Sequence, residues 1–118
     1  MFSRRTPEQR ICGKVGVSPE PPDVQSKVGI ADEVVADAPV ICGQRYLPEG
    51  DFSGWVLWAG ESFSEADDFF APMCVEHLRE RCPEVLPYLA LPPGWSFAIG
   101  TGLEDLWFNP ALLERSAV

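Results

Sequence analysis

The sequence predicts an α+β fold, in which a small antiparallel sheet carries short helices packed on one face. Residues 55–59 form an unbroken apolar run between two glycines, which is typical of a strand buried on both faces. Residues 95–99 alternate large apolar with small side chains, and residues 104–108 can pair with them across a glycine-containing turn. Residues 74–91 instead space apolar side chains three and four positions apart, so we expect them to be mainly helical.

The N-terminal half gives fewer structural signals. Residues 1–10 are polar and lack periodicity, which predicts a loose tail. Residues 18–26 are rich in proline, and we expect an extended connector there because proline fixes φ and lacks a backbone donor. Residues 27–31 and 40–42 have strand character. The length of 118 residues fits a single domain.

Two further helices are predicted near the strands of the C-terminal half. Ser64 is a good N-cap, and the acidic residues behind it suit a first helical turn, so residues 65–70 are expected to form a short acidic helix. Pro83 is expected to end one helix of the central helical stretch and to open the next. Asn109 is expected to cap a final short helix that starts at the following proline.

The net charge of −9 is unevenly distributed along the chain. Residues 1–45 hold six basic and six acidic residues, whereas residues 46–118 hold three basic and twelve acidic ones. Such a surface repels nucleic acid and attracts a basic protein, although acidic residues can also serve solubility alone. No apolar run approaches the roughly 20 residues of a membrane-spanning helix, and no signal peptide is evident, so we expect a cytoplasmic protein without a membrane partner.

The potential catalytic and metal-binding residues do not form a convincing site. Cys74 and His77 are three positions apart in the predicted helix, which also holds Cys82 two turns further on. A zinc site would need Cys12 or Cys42 from elsewhere in the chain. A cysteine nucleophile needs an electropositive setting, and this part of the chain is acidic. We therefore expect reduced, partly buried thiols, no metal, no cofactor and no enzymatic activity.

The best candidates for binding a partner lie around the central strand. Core packing is the expected role of Trp55, Trp95 and Trp107, whereas Trp58 lies on the opposite strand face and is expected to be an exposed aromatic anchor. Carboxylates follow it closely in the sequence. The predicted binding residues are Trp58, Glu61, Glu65, Asp67 and Asp68, with Glu104 and Asp105 as second choices.

The order of several segments resembles the immunity protein thirty-three family, which overlaps a bacterial domain of unknown function. The segments are residues 54–61, 67–70, 75–78, 82–89, 91–97 and 104–108, and residues 11–23 resemble an extension found in one branch of the family. The resemblance implies an α+β protein, encoded near a polymorphic toxin, that neutralises this toxin by binding it. It implies no catalytic residue.

The charge and the resemblance together predict an immunity protein that binds a cognate protein toxin through an acidic surface. A basic toxin would suit this surface best, because an acidic plug can mimic the phosphate backbone that a nucleic-acid-cutting toxin binds. The alternative is a small cytosolic interaction or regulatory module with a different partner. A toxin gene directly upstream would favour the first hypothesis.

Overall fold

The computed structural model describes residues 5–60 and 70–114. Its strands are β1 (Lys27–Ile30), β2 (Val40–Arg45), β3 (Phe52–Ala59), β4 (Ala71–Cys74), β5 (Trp95–Gly100) and β6 (Leu103–Phe108). Its α-helices are α1 (Pro7–Lys14) and α2 (Leu78–Arg81), and 3₁₀ segments cover Val75–His77, Pro83–Ala90 and Pro110–Leu113. The fold is α+β, and the three strands predicted in the C-terminal half are confirmed. None of the helices in the described ranges has both the length and the apolar composition needed to span a lipid bilayer.

Within the described residues, six strands form one sheet in the order β4-β1-β3-β2-β5-β6. All neighbouring pairs are antiparallel except β1 and β3, which run parallel. The prediction of an antiparallel sheet is wrong for the pair of β1 and β3, and the sheet is therefore mixed. The connection of residues 31–39 passes over the end of β3, so β1 and β2 lie on opposite sides of it. Side-chain alternation indicates which residues form strands, but it does not indicate which strands become neighbours.

One face of the sheet packs against α1 and the helical segments of residues 75–90 and holds the main core. Trp55, Leu57 and Phe97 point to this face and have no exposed surface. The Trp55 indole N–H donates to the Leu89 carbonyl of the Pro83–Ala90 segment, at 2.9 Å. Val56 points to the second face and is also buried, so the prediction of a strand buried on both faces is confirmed. The Pro110–Leu113 segment is the exception to the prediction that the helices pack on one face, because its Leu112 joins Val56 in a second cluster.

Helix α1 begins inside the segment that was predicted to be a loose tail. The Thr6 hydroxyl accepts from the Gln9 backbone N–H at 3.1 Å, and the Gln9 side chain accepts from the Thr6 backbone N–H at 2.9 Å. This capping box, with Pro7 at the first helical position, starts the helix. Residues 7–10 are therefore helical. The signal was easy to miss because it involves only a few polar residues in a segment without periodicity.

Cys74 ends β4, so it does not share a helix with Cys82 as predicted. Helical structure begins at the next residue and continues with short breaks to residue 90, which confirms that residues 74–91 are mainly helical. Most of it is 3₁₀ rather than α. Pro83 and Pro87 lack backbone donors and interrupt any longer α-helix.

The C-terminal end of the fold confirms one prediction and corrects another. The Asn109 side chain accepts from the Ala111 backbone N–H at 3.1 Å and caps the closing 3₁₀ segment as predicted. Trp107, which was predicted to lie in the core, is 43% exposed because β6 is an edge strand. Trp95 is half-buried and packs against Phe108, with 5.6 Å between the ring centroids.

Arg45 is a buried arginine that holds the proline-rich connector against the sheet. Its guanidinium donates to the carbonyls of Glu20 (2.7 Å) and Leu91 (2.8 Å) and, through Nε, to that of Ser53 (3.1 Å). The guanidinium also lies 5.8 Å from the centre of the Trp55 ring. Burial lowers the pKa of Arg45, with the Glu20 charge acting in the opposite direction. Residues 18–26, which contain no helix or strand, are thereby fixed in place.

Candidate partner-binding surface

Three connections of the sheet meet at one of its ends. Strands β1, β3 and β5 finish there, and strands β2, β4 and β6 begin there. The connections are residues 31–39, residues 60–70 and the turn at residues 101–102. A hydrogen bond from the Gly60 N–H to the Val40 carbonyl, 2.9 Å long, joins the start of one connection to the first residue of β2. This end of the molecule therefore presents loops on a rigid sheet, an arrangement that many binding sites use.

The connection of residues 31–39 is firmly attached to the body of the protein. Val34 is fully buried in the main core. Arg81 donates to the carbonyls of Ala31 (3.0 Å), Asp32 (3.1 Å) and Val34 (2.8 Å). These bonds use the backbone of the loop and leave its carboxylates to point into solvent. The loop therefore holds its exposed carboxylates in a fixed position.

The sequence of the three connections and the first residues of β6 contains acidic residues and no basic ones. Residues 31–39, 60–70 and 101–105 hold nine of the 18 acidic residues of the chain. They are Asp32, Glu33, Asp37, Glu61, Glu65, Asp67, Asp68, Glu104 and Asp105. We call this region the acidic end. Of its five carboxylates in the described part of the chain, only that of Glu104 forms an ion pair.

Trp58 and Asp105 lie on the same face of the sheet, near the acidic end. The strand register places them in one row, with Cys42 and Ala98 between them. Three strand spacings separate the two residues, a distance of about 14 Å. Asp105 is exposed, whereas Trp58 is half-buried and packs against both apolar clusters of the protein. Trp58 is therefore a partly accessible aromatic residue rather than the exposed anchor that the sequence suggested.

Glu104 lies on the opposite face from Trp58 and has an internal structural role. Its carboxylate accepts hydrogen bonds from the Lys14 ammonium of α1 and the Tyr88 hydroxyl. Both bonds lower the pKa of Glu104, that from Lys14 most. Burial, and then the bond to Glu104, raises the pKa of Tyr88. Glu104 therefore links β6 to two helical segments and stays ionised.

An open cavity of about 640 Å³ lies beside Glu104, between the 31–39 connection and the 101–102 turn. Ile41 and Ile99 form an apolar part of its lining, and Glu84, Tyr88 and Glu104 contribute polar groups. Such a recess can accommodate the apolar stem of a lysine or arginine while carboxylates contact its charged head. The lowered pKa of Glu104 keeps its carboxylate ionised, so it contributes a negative charge to this recess.

Four predicted binding residues lie outside the described residues. Glu61, Glu65, Asp67 and Asp68 belong to the connection that leaves Gly60 and returns at Phe70. The short acidic helix predicted over residues 65–70 falls almost entirely in this segment as well. The positions of the four carboxylates stay a prediction, although both ends of their connection lie at the acidic end.

The described cysteines and the histidine have the properties of structural or surface residues. Burial raises the pKa values of Cys12 and Cys42, and burial together with the Glu84 carboxylate raises that of Cys82 to about 12. These thiols are therefore protonated, weak nucleophiles at neutral pH. His77 is exposed and lies 3.9 Å from the Glu76 carboxylate. Residues 5–60 and 70–114 contain no group of three side chains arranged to bind a metal ion.

Sequence reasoning missed the acidic residues of the 31–39 connection. It counted residues 1–45 as neutral, because basic residues elsewhere in that block cancel the charges of Asp32, Glu33 and Asp37. The fold keeps two of these basic residues away from the 31–39 connection, because Arg45 is buried and Lys27 lies at the other end of the sheet, paired with Asp51 at 3.3 Å. Lys14 of the same block instead pairs with Glu104. A count over a shorter window would have found three acidic and no basic residues in positions 31–39.

The family model of the Imm33-like domain matches residues 7–109. The chain belongs to the Imm33-like family. The match runs from α1 to the end of β6 and so includes the whole sheet and the acidic end. Imm33-like proteins form an immunity-protein family, whose partners are in general toxins and whose members are generally not enzymes. No curated protein and no solved structure matches the chain.

Proposed function

We propose that this Imm33-like protein binds a cognate bacterial toxin in the cytoplasm and neutralises it through the acidic end of its sheet. It acts by stoichiometric binding, without a cofactor or catalysis and without a nucleic-acid or membrane partner. The observation that carries the proposal is a sequence pattern read on the fold: nine acidic residues and no basic one occur in the three connections that begin and end at one end of a rigid sheet and in the first residues of β6.

The charge at the acidic end favours a basic surface on the toxin. Exposed carboxylates without ion pairs attract a basic partner over about one Debye length and raise its association rate. Asp32, Glu33 and Asp37 contribute from the loop that Arg81 fixes in place. In the proposal, Glu61, Glu65, Asp67 and Asp68 of the neighbouring connection extend this surface. Toxins that cleave nucleic acid have such basic surfaces, because they bind phosphates.

Two features at the acidic end can provide shorter-range contacts. The cavity beside Glu104 has the apolar floor and acidic rim that suit a lysine or arginine of the toxin. Trp58 and Asp105 occupy one row on the second face and offer an aromatic contact and a charge. Glu104 contributes through the rim of the cavity, since its carboxylate already bonds to Lys14 and Tyr88.

Growth rescue tests the proposal directly. The protein encoded immediately upstream of this chain is expressed in a host with and without the chain, and we expect it to be toxic only without the chain. The double variant Glu33→Lys/Asp37→Lys should rescue poorly. The matched control is Glu49→Lys/Glu76→Lys, since both carboxylates are exposed near the other end of the sheet. Each double variant changes the net charge from −9 by four units, so only the position differs.

The outcomes separate the proposal from its alternative. Equal rescue by the two double variants would show that the position of the carboxylates does not matter and would contradict binding at the acidic end. An upstream protein that is harmless and does not bind the chain would favour a regulatory module with a non-toxin partner.

Trp58→Ala tests the aromatic contact. We expect a loss of about 2 kcal/mol in binding, which corresponds to roughly 30-fold faster dissociation, with a much smaller effect on association. Because Trp58 also packs against both apolar clusters, circular dichroism must show that the variant is folded. An unchanged dissociation rate in the folded variant would remove Trp58 from the interface.

A further inference from the structure

The two edges of the sheet differ in their capacity to accept another strand. Edge strand β4 has four residues and contains Pro72, which cannot donate a backbone hydrogen bond. Edge strand β6 has six residues and no proline. Its Trp107 and Phe108 side chains are 43% and 47% exposed. Long, exposed edges of this kind are templates for pairing with another chain.

The hydrogen-bond pattern identifies which backbone groups β6 leaves open. The Asn109 N–H donates to the Gly94 carbonyl at 2.8 Å, so residue 109 directs its backbone groups towards β5. The register between the two strands is regular from residue 108 to residue 103. In an antiparallel pair the direction alternates along the strand. The backbone groups of Glu104, Leu106 and Phe108 therefore point away from the sheet.

We propose that β6 binds an extended segment of the partner as a seventh strand, paired with the backbone groups of Glu104, Leu106 and Phe108. This inference rests on the proposed function, because the partner that supplies the added strand is taken to be the toxin. The second face of β6 carries Asp105 and Trp107, two positions apart. The added strand should then place a basic side chain opposite Asp105 and an apolar one opposite Trp107, with one residue between them.

Charge favours a basic partner over a second copy of this chain at this edge. Two copies would each carry a net charge of −9, and Asp105 has no ion pair within the described residues. Charged residues on an edge strand discourage pairing with chains of the same sign and permit pairing with chains of the opposite sign. The acidic end adjoins the first residues of β6, so a partner attracted there meets this edge.

Residue-resolved amide hydrogen exchange tests the proposal. The chain is labelled with ¹⁵N and measured alone and in complex with an inactive variant of the protein encoded immediately upstream. We expect the amides of Glu104, Leu106 and Phe108 to exchange fast in the free chain and at least tenfold more slowly in the complex. The amides of Asp105 and Trp107 bond to β5 and should be protected in both states. Burial without strand pairing would not produce this alternation.

A pair of variants gives a second measurement. Leu106→Pro and Leu106→Ala both remove a half-buried side chain, but only the proline also removes the outward N–H. We expect Leu106→Pro to bind the upstream protein at least tenfold more weakly than Leu106→Ala, with both variants folded by circular dichroism. If Leu106→Pro does not fold, the exchange pattern decides alone.

Three results would overturn the inference, and they separate its failure from that of the proposed function. A complex in which the three outward amides stay unprotected would refute strand addition and leave toxin binding intact. Alternating protection that appears in the free chain as its concentration rises would assign the edge to a second copy. An upstream protein that does not bind at all would refute both proposals.

Discussion

Replacement of Arg45 by methionine is expected to destabilise the protein severely, although it removes a charge from the interior. The guanidinium makes four hydrogen bonds to backbone carbonyls, of which the one to Leu89 is the longest at 3.4 Å. Methionine fills similar space but donates none of them. The Leu89 carbonyl keeps its bond from the Trp55 indole, so three carbonyls lose their donor. At about 1 kcal/mol for each of them, Arg45→Met should lower the free energy of unfolding by about 3 kcal/mol.

Arg45→Lys separates the geometry of the side chain from its charge. Lysine keeps the charge, but its single ammonium group cannot contact carbonyls on several sides as the planar guanidinium does. We therefore expect it to hydrogen-bond to about half of the carbonyls. The expected loss is about 2 kcal/mol, between the wild type and Arg45→Met. Arg79 is exposed and serves as a control, because Arg79→Met should change stability by no more than about 0.5 kcal/mol.

Urea unfolding followed by tryptophan fluorescence measures these differences. Because native domains are stable by only about 5–15 kcal/mol, a loss of about 3 kcal/mol moves the midpoint of unfolding strongly. Arg45 lies at the end of the sheet opposite the acidic end, so variants that remain folded should bind the toxin as the wild type does. If Arg45→Met were as stable as the wild type or more stable, the cost of burying the charge would exceed the value of its hydrogen bonds, and the reasoning would be refuted.

Three further predictions concern single side chains. The pKa of Glu104 is lowered by its bonds, so its carboxylate stabilises the fold above its unfolded pKa of about 4.3, and this contribution disappears as the pH falls through the lowered folded value. Glu104→Gln should therefore cost about 0.5–1 kcal/mol at pH 7 and less as the pH falls below about 4, as measured by urea unfolding across this range; a cost that is independent of pH would contradict this. Cys82 is buried and its pKa is raised to about 12, so iodoacetamide should label it at pH 8 only when the protein unfolds. Mass spectrometry measures the labelling, and fast labelling of the native protein would contradict this prediction. Gly43→Ala should lower the free energy of unfolding by about 1–3 kcal/mol, because its new Cβ would lie 2.5 Å from the Phe97 ring. Adding Phe97→Leu should recover part of this stability in thermal melts, and no recovery would point to another cause.

The sequence predicted the strands well where side-chain alternation was strong. Residues 55–59 and the pair 95–99 and 104–108 stood out because large apolar residues alternate or cluster between glycines. Strand β4 was missed because its four residues include a proline and have no alternation. The parallel pairing of β1 with β3 depends on the path of a connection, which local patterns do not encode.

The candidate site was predictable only in part, because charge in sequence and charge in space differ. Trp58 was chosen from its strand face and Asp105 from its charge, and the register brings them to one row. Glu104 was chosen for the same reason, but it follows the alternation of β6 to the other face and bonds to Lys14. Lys14 is 90 positions away in the sequence, so no local pattern could reveal that contact.

The association rate of the chain with the protein encoded immediately upstream, measured at about 50 and 200 mM salt, tests the central claim most directly. Screening shortens the range of charge attraction between these concentrations. We expect fast association of the wild type that slows strongly with salt, and a slower, weakly salt-dependent association of Glu33→Lys/Asp37→Lys. The control Glu49→Lys/Glu76→Lys should behave nearly as the wild type does. Identical rates and salt dependence for both double variants would contradict binding at the acidic end.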